Sequence, residues 1–142
     1  MAVLIETDIL IALVRKRDRH HKEALTLFEE QGEELLLSPY SIIELDALIW
    51  SNALRVKDKQ EFFALLSETL NYYNVKTIYP SPLHVCKAYQ LRSNYGLTFF
   101  GSLHAATAII ERLTLISYDR SYGRVKELNY LHTSEYLSAK GS

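Results

Sequence analysis

Short apolar runs alternate with longer amphipathic stretches along this chain. Val3-Leu4-Ile5 is a β-branched run that stops at Glu6-Thr7-Asp8 and reads as a buried strand. Ile9–Val14 follows a cap-type residue and precedes a basic stretch, which predicts a helix. Ala24, Leu25 and Phe28 mark one face of a second helix that ends near Gln31-Gly32. Leu35-Leu36-Leu37 predicts a second strand, and Ser38-Pro39-Tyr40-Ser41 opens a helix to about Ser51. Phe62, Leu65, Leu66 and Leu70 stand at helical spacing between about Asp58 and Tyr72. A strand over Val75–Tyr79 and a helix from about Leu83 to Asn94 follow, the latter stopped by Tyr95-Gly96. In FFGSLHAATA, Ser102 reads as the cap of a helix whose Ala105, Ala106 and Ala108 allow close packing. Leu113–Ser117 and Tyr130–His132 complete the strands.

Strands that alternate with helices of this length form βαβ units, hence a parallel sheet with helices on its faces. Sites in such sheets lie at the carboxyl ends of the strands. Three strand ends stand out: Glu6/Asp8, the Pro39–Glu44 region and Asp119.

Composition narrows the class. The chain has 142 residues, 48% of them hydrophobic and 23% charged, which suits one domain with a proper core. We expect that domain to span residues 1–138, with 139–142 as a flexible tail. The single Cys86 excludes an internal disulfide and fits a reducing, cytoplasmic location. The first residues read as a core strand rather than a signal segment, and no apolar run is long enough to span a bilayer. With a net charge of −1, nucleic acid is not bound through overall positive charge. A local patch or a metal ion has to serve instead. Arg15, Lys16, Arg17 and Arg19 form the one basic cluster available for RNA phosphates, unless they only solvate a loop.

The acids carry the candidate chemistry. In SIIELDALIW the apolar positions cover most of the helical circumference, which predicts burial nearly all round. Glu44 and Asp46 lie roughly 160° apart on that wheel and cannot serve one cluster. Glu44, one turn in from a strand end, is the site candidate, and Asp46 reads as a structural or interface acid. Glu6 and Asp8 project to one side if the strand persists; otherwise Asp8 or Thr7 caps the next helix. Asp119 follows Ser117 at a strand end, where an Asx turn is the alternative. Gathered carboxylates repel and raise one another's pKa values, a conflict that a hard divalent cation, Mg²⁺ or Mn²⁺, resolves. Metal-assisted phosphodiester hydrolysis is the chemistry that follows.

With the ETD after the first strand, SPYSIIELD, FFGSLHAATA and LTLISYD in this order, the chain resembles the PIN domain family. It looks most like the small stand-alone, VapC-type toxins, over nearly its whole length. The resemblance implies a three-layer α/β/α fold with a central, mostly parallel sheet. It implies a Mg²⁺- or Mn²⁺-dependent endoribonuclease, often a homodimer, often neutralised by an antitoxin. It places Glu6, Glu44 and Asp119 at family acid positions, Asp8 where an Asn is usual, and Ser117 at the customary hydroxyl. Thr7 falls in the supporting shell. The remaining family acid precedes the LHAATA helix, and here that position is Gly101. Glu6 is also one methylene longer than the usual aspartate.

Two further readings remain. One is a PIN scaffold with weakened catalysis that holds RNA or a protein; Gly101 and Glu6 favour it. The other is a receiver-like signalling domain, which needs a lysine after a late strand, and none directly follows Leu113–Ser117. His20-His21 reads as a solvent-facing pair, and His104, Thr107 and Glu111 as one polar helix face. Cys86 reads as core, as by default do Trp50 and the ten tyrosines, with a dimer or partner surface the alternative for some of them.

Overall fold

A computed structural model describes residues 2–141. Five strands form one sheet: β1 (Ala2–Ile5), β2 (Glu34–Leu37), β3 (Lys76–Thr77), β4 (Thr114–Ser117) and β5 (Tyr130–His132). Their order is β3-β2-β1-β4-β5, and every pairing is parallel. Among the described residues seven α-helices surround the sheet: α1 (Thr7–Val14), α2 (His21–Glu29), α3 (Ser41–Trp50), α4 (Lys59–Tyr72), α5 (Pro82–Tyr95), α6 (Phe99–Glu111) and α7 (Thr133–Gly141). Val3-Leu4-Ile5 is buried on both sides because its side chains alternate. Val3 and Ile5 join a core with Leu10 of α1, Phe28 of α2, Leu45 of α3 and Leu66 of α4. Leu4 and Leu115 join a second core with Leu91 of α5 and Ala105, Ala106 and Ala108 of α6. Two cores on opposite faces of one sheet give the three-layer α/β/α arrangement.

The chain leaves β1 toward β2 and β3 on one side, then returns to place β4 and β5 on the other. The order therefore reverses between β1 and β4. A crevice opens beyond their carboxyl ends at such a reversal.

Several local expectations need correction. Helix α6 begins at Phe99, and its N-cap is Thr98, whose hydroxyl accepts from the Gly101 N–H at 3.1 Å. Ser102 lies inside the helix. Its hydroxyl donates to Phe99 O and accepts from Arg92 Nε, each at 2.7 Å. Helix α3 is not buried all round: Leu45 and Ile49 are, but Ile43 is exposed and Trp50 is 83% exposed. Its apolar circumference exceeds what one layer covers. Cys86 is exposed on α5 rather than in the core. Residues Ala139–Gly141, expected in the tail, close α7; Ser142 of that expectation lies outside the described residues. Among the described residues no helix is long and apolar enough to cross a membrane.

Burial decides the stability weights. Replacing the buried Leu115 by Ala should lower the unfolding free energy by about 2–5 kcal/mol. Leu83→Ala, at a position 61% exposed, should stay within about 0.5 kcal/mol. Urea unfolding of the two variants checks this, and similar midpoints would refute the assigned core.

Candidate active site

The crevice is a cleft of about 250 Å³ lined by Glu6, Thr7, Asp8, Glu44, Gly101, His104, Asp119 and Tyr122, among others. Each acid arrives there from a different stretch of backbone. Glu6 directly follows β1 and is the N-cap of α1, its Oε1 accepting from Asp8 N at 3.1 Å. The strand does not persist to Asp8, which already lies in the first turn of α1. Glu44 sits in the first turn of α3, just past the carboxyl end of β2. Asp119 follows β4 and caps a short 3-10 helix over Arg120–Arg124 by accepting from Ser121 N at 2.9 Å. The four predicted acids therefore line one cleft.

Ser117 ties two of them together. Its Oγ lies 2.8 Å from Glu6 Oε2 and 2.8 Å from Asp8 Oδ2, and it accepts from Asp119 N at 3.0 Å. A hydroxyl has one proton. It can donate to one carboxylate only, so the second contact requires a proton on the other acid. The electrostatics agree. Burial raises the Glu6 carboxyl to about 7, with the charge of Glu44 adding to the effect and the Asp8 N–H opposing it. Burial, then the charge of Glu6, raises Asp8 to about 8. Asp8 Oδ2 also accepts from Tyr118 N at 2.9 Å, whereas Asp8 Oδ1 is buried with no hydrogen-bond partner among the described residues.

Glu44 behaves differently. Burial raises its carboxyl, but hydrogen bonds from His104 and Thr7 outweigh burial and hold it below the ordinary range. The Thr7 hydroxyl donates to Glu44 Oε1, and His104 Nε2 lies 2.8 Å from the same oxygen. His104 Nδ1 lies 2.6 Å from Ser38 Oγ. Because Glu44 only accepts when ionised, His104 carries a proton on Nε2. His104 is thus a positioning residue that connects β2, α3 and α6.

Sequence reasoning took His104 as part of a polar face. The structure separates that face: Thr107 bonds its own helix at Leu103 O, and Glu111 pairs with buried His84 at 2.8 Å. Ser38 and Tyr122 were also missed; Tyr122 OH approaches Glu6 Oε2 at 3.4 Å. Ser38 directly follows a predicted strand, and that position was its only signal. The basic residues Arg15, Lys16, Arg17 and Arg19 are exposed outside the cleft. Their loop folds back because the His20 ring stacks on Tyr118 at 3.8 Å, so His20 is not a free solvent-facing residue. His21 bonds Ala12 O through Nδ1 at 2.8 Å.

Gly101 lines the cleft in a helical conformation; among the described glycines only Gly96 has a left-handed φ. A turn requirement therefore does not explain it. A Cβ there would meet Thr98 Oγ1 at 2.6 Å, so any side chain must displace the α6 cap.

One donor atom each from Glu6, Glu44 and His104 lies within 4.8 Å of the others. His104 Nε2 is committed to Glu44, which leaves an oxygen donor set. Carboxyls that crowd together away from water without a counter-charge, and an Asp8 oxygen with no partner among the described residues, fit a hard divalent cation.

A family model for the PIN domain matches residues 3–128. The chain belongs to the PIN domain family, whose members are generally nucleases that use divalent metal. Its fold is similar to a toxin–antitoxin complex from Klebsiella pneumoniae at 22% identity and TM-score 0.66, covering 92% of this chain and 97% of that one. It is similar to VapBC2 from Rickettsia felis bound to a promoter DNA fragment, at 17% identity and TM-score 0.67, covering 93% and 98%. It is also similar to VapBC-1 from nontypeable Haemophilus influenzae, at 15% identity and TM-score 0.70, covering 94% and 99%. No protein of curated function matches the chain.

The raised carboxyls fix a sign. Protons held by Glu6 and Asp8 only in the folded state stabilise it fully below the unfolded carboxyl range near pH 4. That contribution is lost as pH rises through about 7 and about 8. Metal-free protein in EDTA should therefore lose stability between about pH 5 and pH 8, and Asp8→Asn should flatten the slope. Thermal unfolding across this range tests it; an Asp8→Asn slope equal to wild type would refute the shared-proton arrangement.

Proposed function

We propose that this protein is a Mg²⁺- or Mn²⁺-dependent endoribonuclease of the VapC toxin type. The observation that supports it most is the crowding of Glu6 and half-buried Asp8 on one Ser117 hydroxyl, with Asp8 Oδ1 left without a hydrogen-bond partner among the described residues. Glu6, Asp8, Glu44 and Asp119 would hold the ion, with Thr7 and Ser117 supporting them. A bound divalent ion lowers the pKa of a water and neutralises charge on the scissile phosphate. The remaining work falls to the chain. Ser117 and the Asp8 and Tyr118 amides orient the Glu6 and Asp8 carboxylates. His104 and Thr7, both bonded to Oε1, hold Glu44 below the ordinary carboxyl range at the wall of the cleft. Asp119, exposed at the rim, faces incoming solvent and substrate. The basic residues Arg15, Lys16, Arg17 and Arg19 would meet RNA phosphates.

An antitoxin partner and a homodimer belong to this proposal. The solved relatives named above are toxin–antitoxin or VapBC assemblies. On α3, Ile43, Ala47 and Trp50 form an exposed stripe at helical spacing, apolar enough to suit a second copy. The competing reading, a catalytically weakened scaffold that binds RNA or protein, is favoured by Gly101 at the family's third acid position and by the longer Glu6 at its first.

Cleavage of mixed-sequence RNA with Mg²⁺, Mn²⁺ or EDTA tests the proposal. Wild type should cleave only with the divalent ion, and Glu44→Gln and Asp119→Asn should be silent. Wild-type turnover no greater than in Glu44→Gln would leave the binding scaffold. His104→Ala should retain the fold and lose about ten- to hundredfold in activity or metal affinity, because it acts through Glu44.

Gly101→Asp should bind Mn²⁺ more tightly, measured by calorimetry. In EDTA it should lose about 1 kcal/mol of stability from the disturbed Thr98 cap. Loss of stability without tighter metal binding would show that position 101 is not a vacated ligand site.

A further inference from the structure

At the amino end of α6, beside the cleft, lies a surface that the metal site does not use. The Arg92 guanidinium stands 4.8 Å from the centre of the Tyr89 ring and 4.7 Å from that of Phe99. Tyr89 is 66% exposed and Phe99 63% exposed. Arg92 is held by Ser102 Oγ at 2.7 Å and Phe99 O at 3.3 Å, and forms no ion pair among the described residues. A fixed cation without a carboxylate, between two large exposed rings, is an unusual use of surface. Exposed aromatics normally gain by burial, and a cation near the positive end of a helix gains nothing from its dipole. An anionic ligand with flat apolar faces satisfies all three groups at once.

The surface is continuous with the cleft. Thr98 and Gly101 line the cleft, and Phe99 lies between them in sequence at the first position of α6. Arg92 reaches the same turn of α6 from the last turn of α5. It belongs to the opposite helical layer from the Arg15–Arg19 loop, so the two basic features approach the acids from different sides.

We propose that Phe99, Arg92 and Tyr89 form a nucleotide platform that receives single-stranded RNA as it leaves the acid cleft. A base stacks on Phe99, a flanking phosphate meets Arg92, and Tyr89 braces the guanidinium and offers a second ring. Stacking is tolerant of base identity, whereas duplex RNA presents no free base faces, so the platform selects unpaired strands. The inference rests on the ribonuclease reading for the passage of RNA through the cleft, but binding can be tested without cleavage.

The experiment measures fluorescence anisotropy of a labelled single-stranded RNA of about a dozen nucleotides, in Mg²⁺ buffer, with Glu44→Gln protein. Adding Phe99→Leu should weaken binding roughly five- to hundredfold, and Phe99→Tyr should keep it. Adding Arg92→Gln should reduce the salt dependence of binding by about one counterion, a readout that loosened packing would not move. Melting curves confirm that each variant is folded. Wild type is assayed for cleavage in parallel. If RNA binds equally to all variants while wild type cleaves, the platform is refuted and the nuclease stands. If binding depends on Phe99 and Arg92 while wild type does not cleave, the platform stands and the nuclease falls. If no RNA binds, the platform is refuted, and the parallel cleavage assay alone decides the nuclease.

Discussion

The architecture of the site depends on one hydroxyl proton. Ser117 ends β4 where the strand order reverses, and its side chain joins Glu6 and Asp8 from the neighbouring β1–α1 junction. Both acids are screened from water, so neither can be charged beside the other without compensation. Parallel pairing of β1 and β4 creates this conflict, because it brings two chain segments more than a hundred residues apart to the same edge. The protein answers with the Ser117 hydroxyl, two backbone N–H groups and a proton. Glu44, arriving from α3, meets the opposite environment, two donors at one oxygen, and stays ionised.

The elements of the fold were legible because they are signalled locally. The short apolar runs Val3–Ile5 and Leu35–Leu37, each followed by a polar residue, match central strands, and Gly96 adopts the left-handed φ that its place after α5 predicts. The four acids were legible for the same reason: each lies within seven residues of a strand end. What stayed hidden was pairwise. Helix α6 is enclosed through Ser102–Ala108, and its polar residues find separate partners: Ser38 and Glu44 for His104, its own backbone for Thr107, and His84 for Glu111 beyond the enclosed stretch. The spacing of His104, Thr107 and Glu111 gives their common face but not the three destinations. Helix α3 misled in the other direction. Its apolar circumference was read as burial, yet Trp50 and Ile43 face outward.

Position 101 shows how a sequence departure becomes intelligible through geometry. A glycine before a helix suggests a turn, but Gly101 is helical and its missing side chain lets Thr98 cap α6 closely. The same first turn holds Arg92 through Ser102 and Phe99. Cap, cation and cleft wall are therefore parts of one local arrangement, and a change in one is felt by the others.

Glu6 has two separate employments. It lines the cleft, and it begins α1 as the N-cap that receives the Asp8 N–H. An acid that starts a core helix is retained by selection for folding even where selection for cleavage lapses. Presence of this residue in a related chain is thus poor testimony that the chain is active, while Glu44, which caps nothing, is the more informative marker.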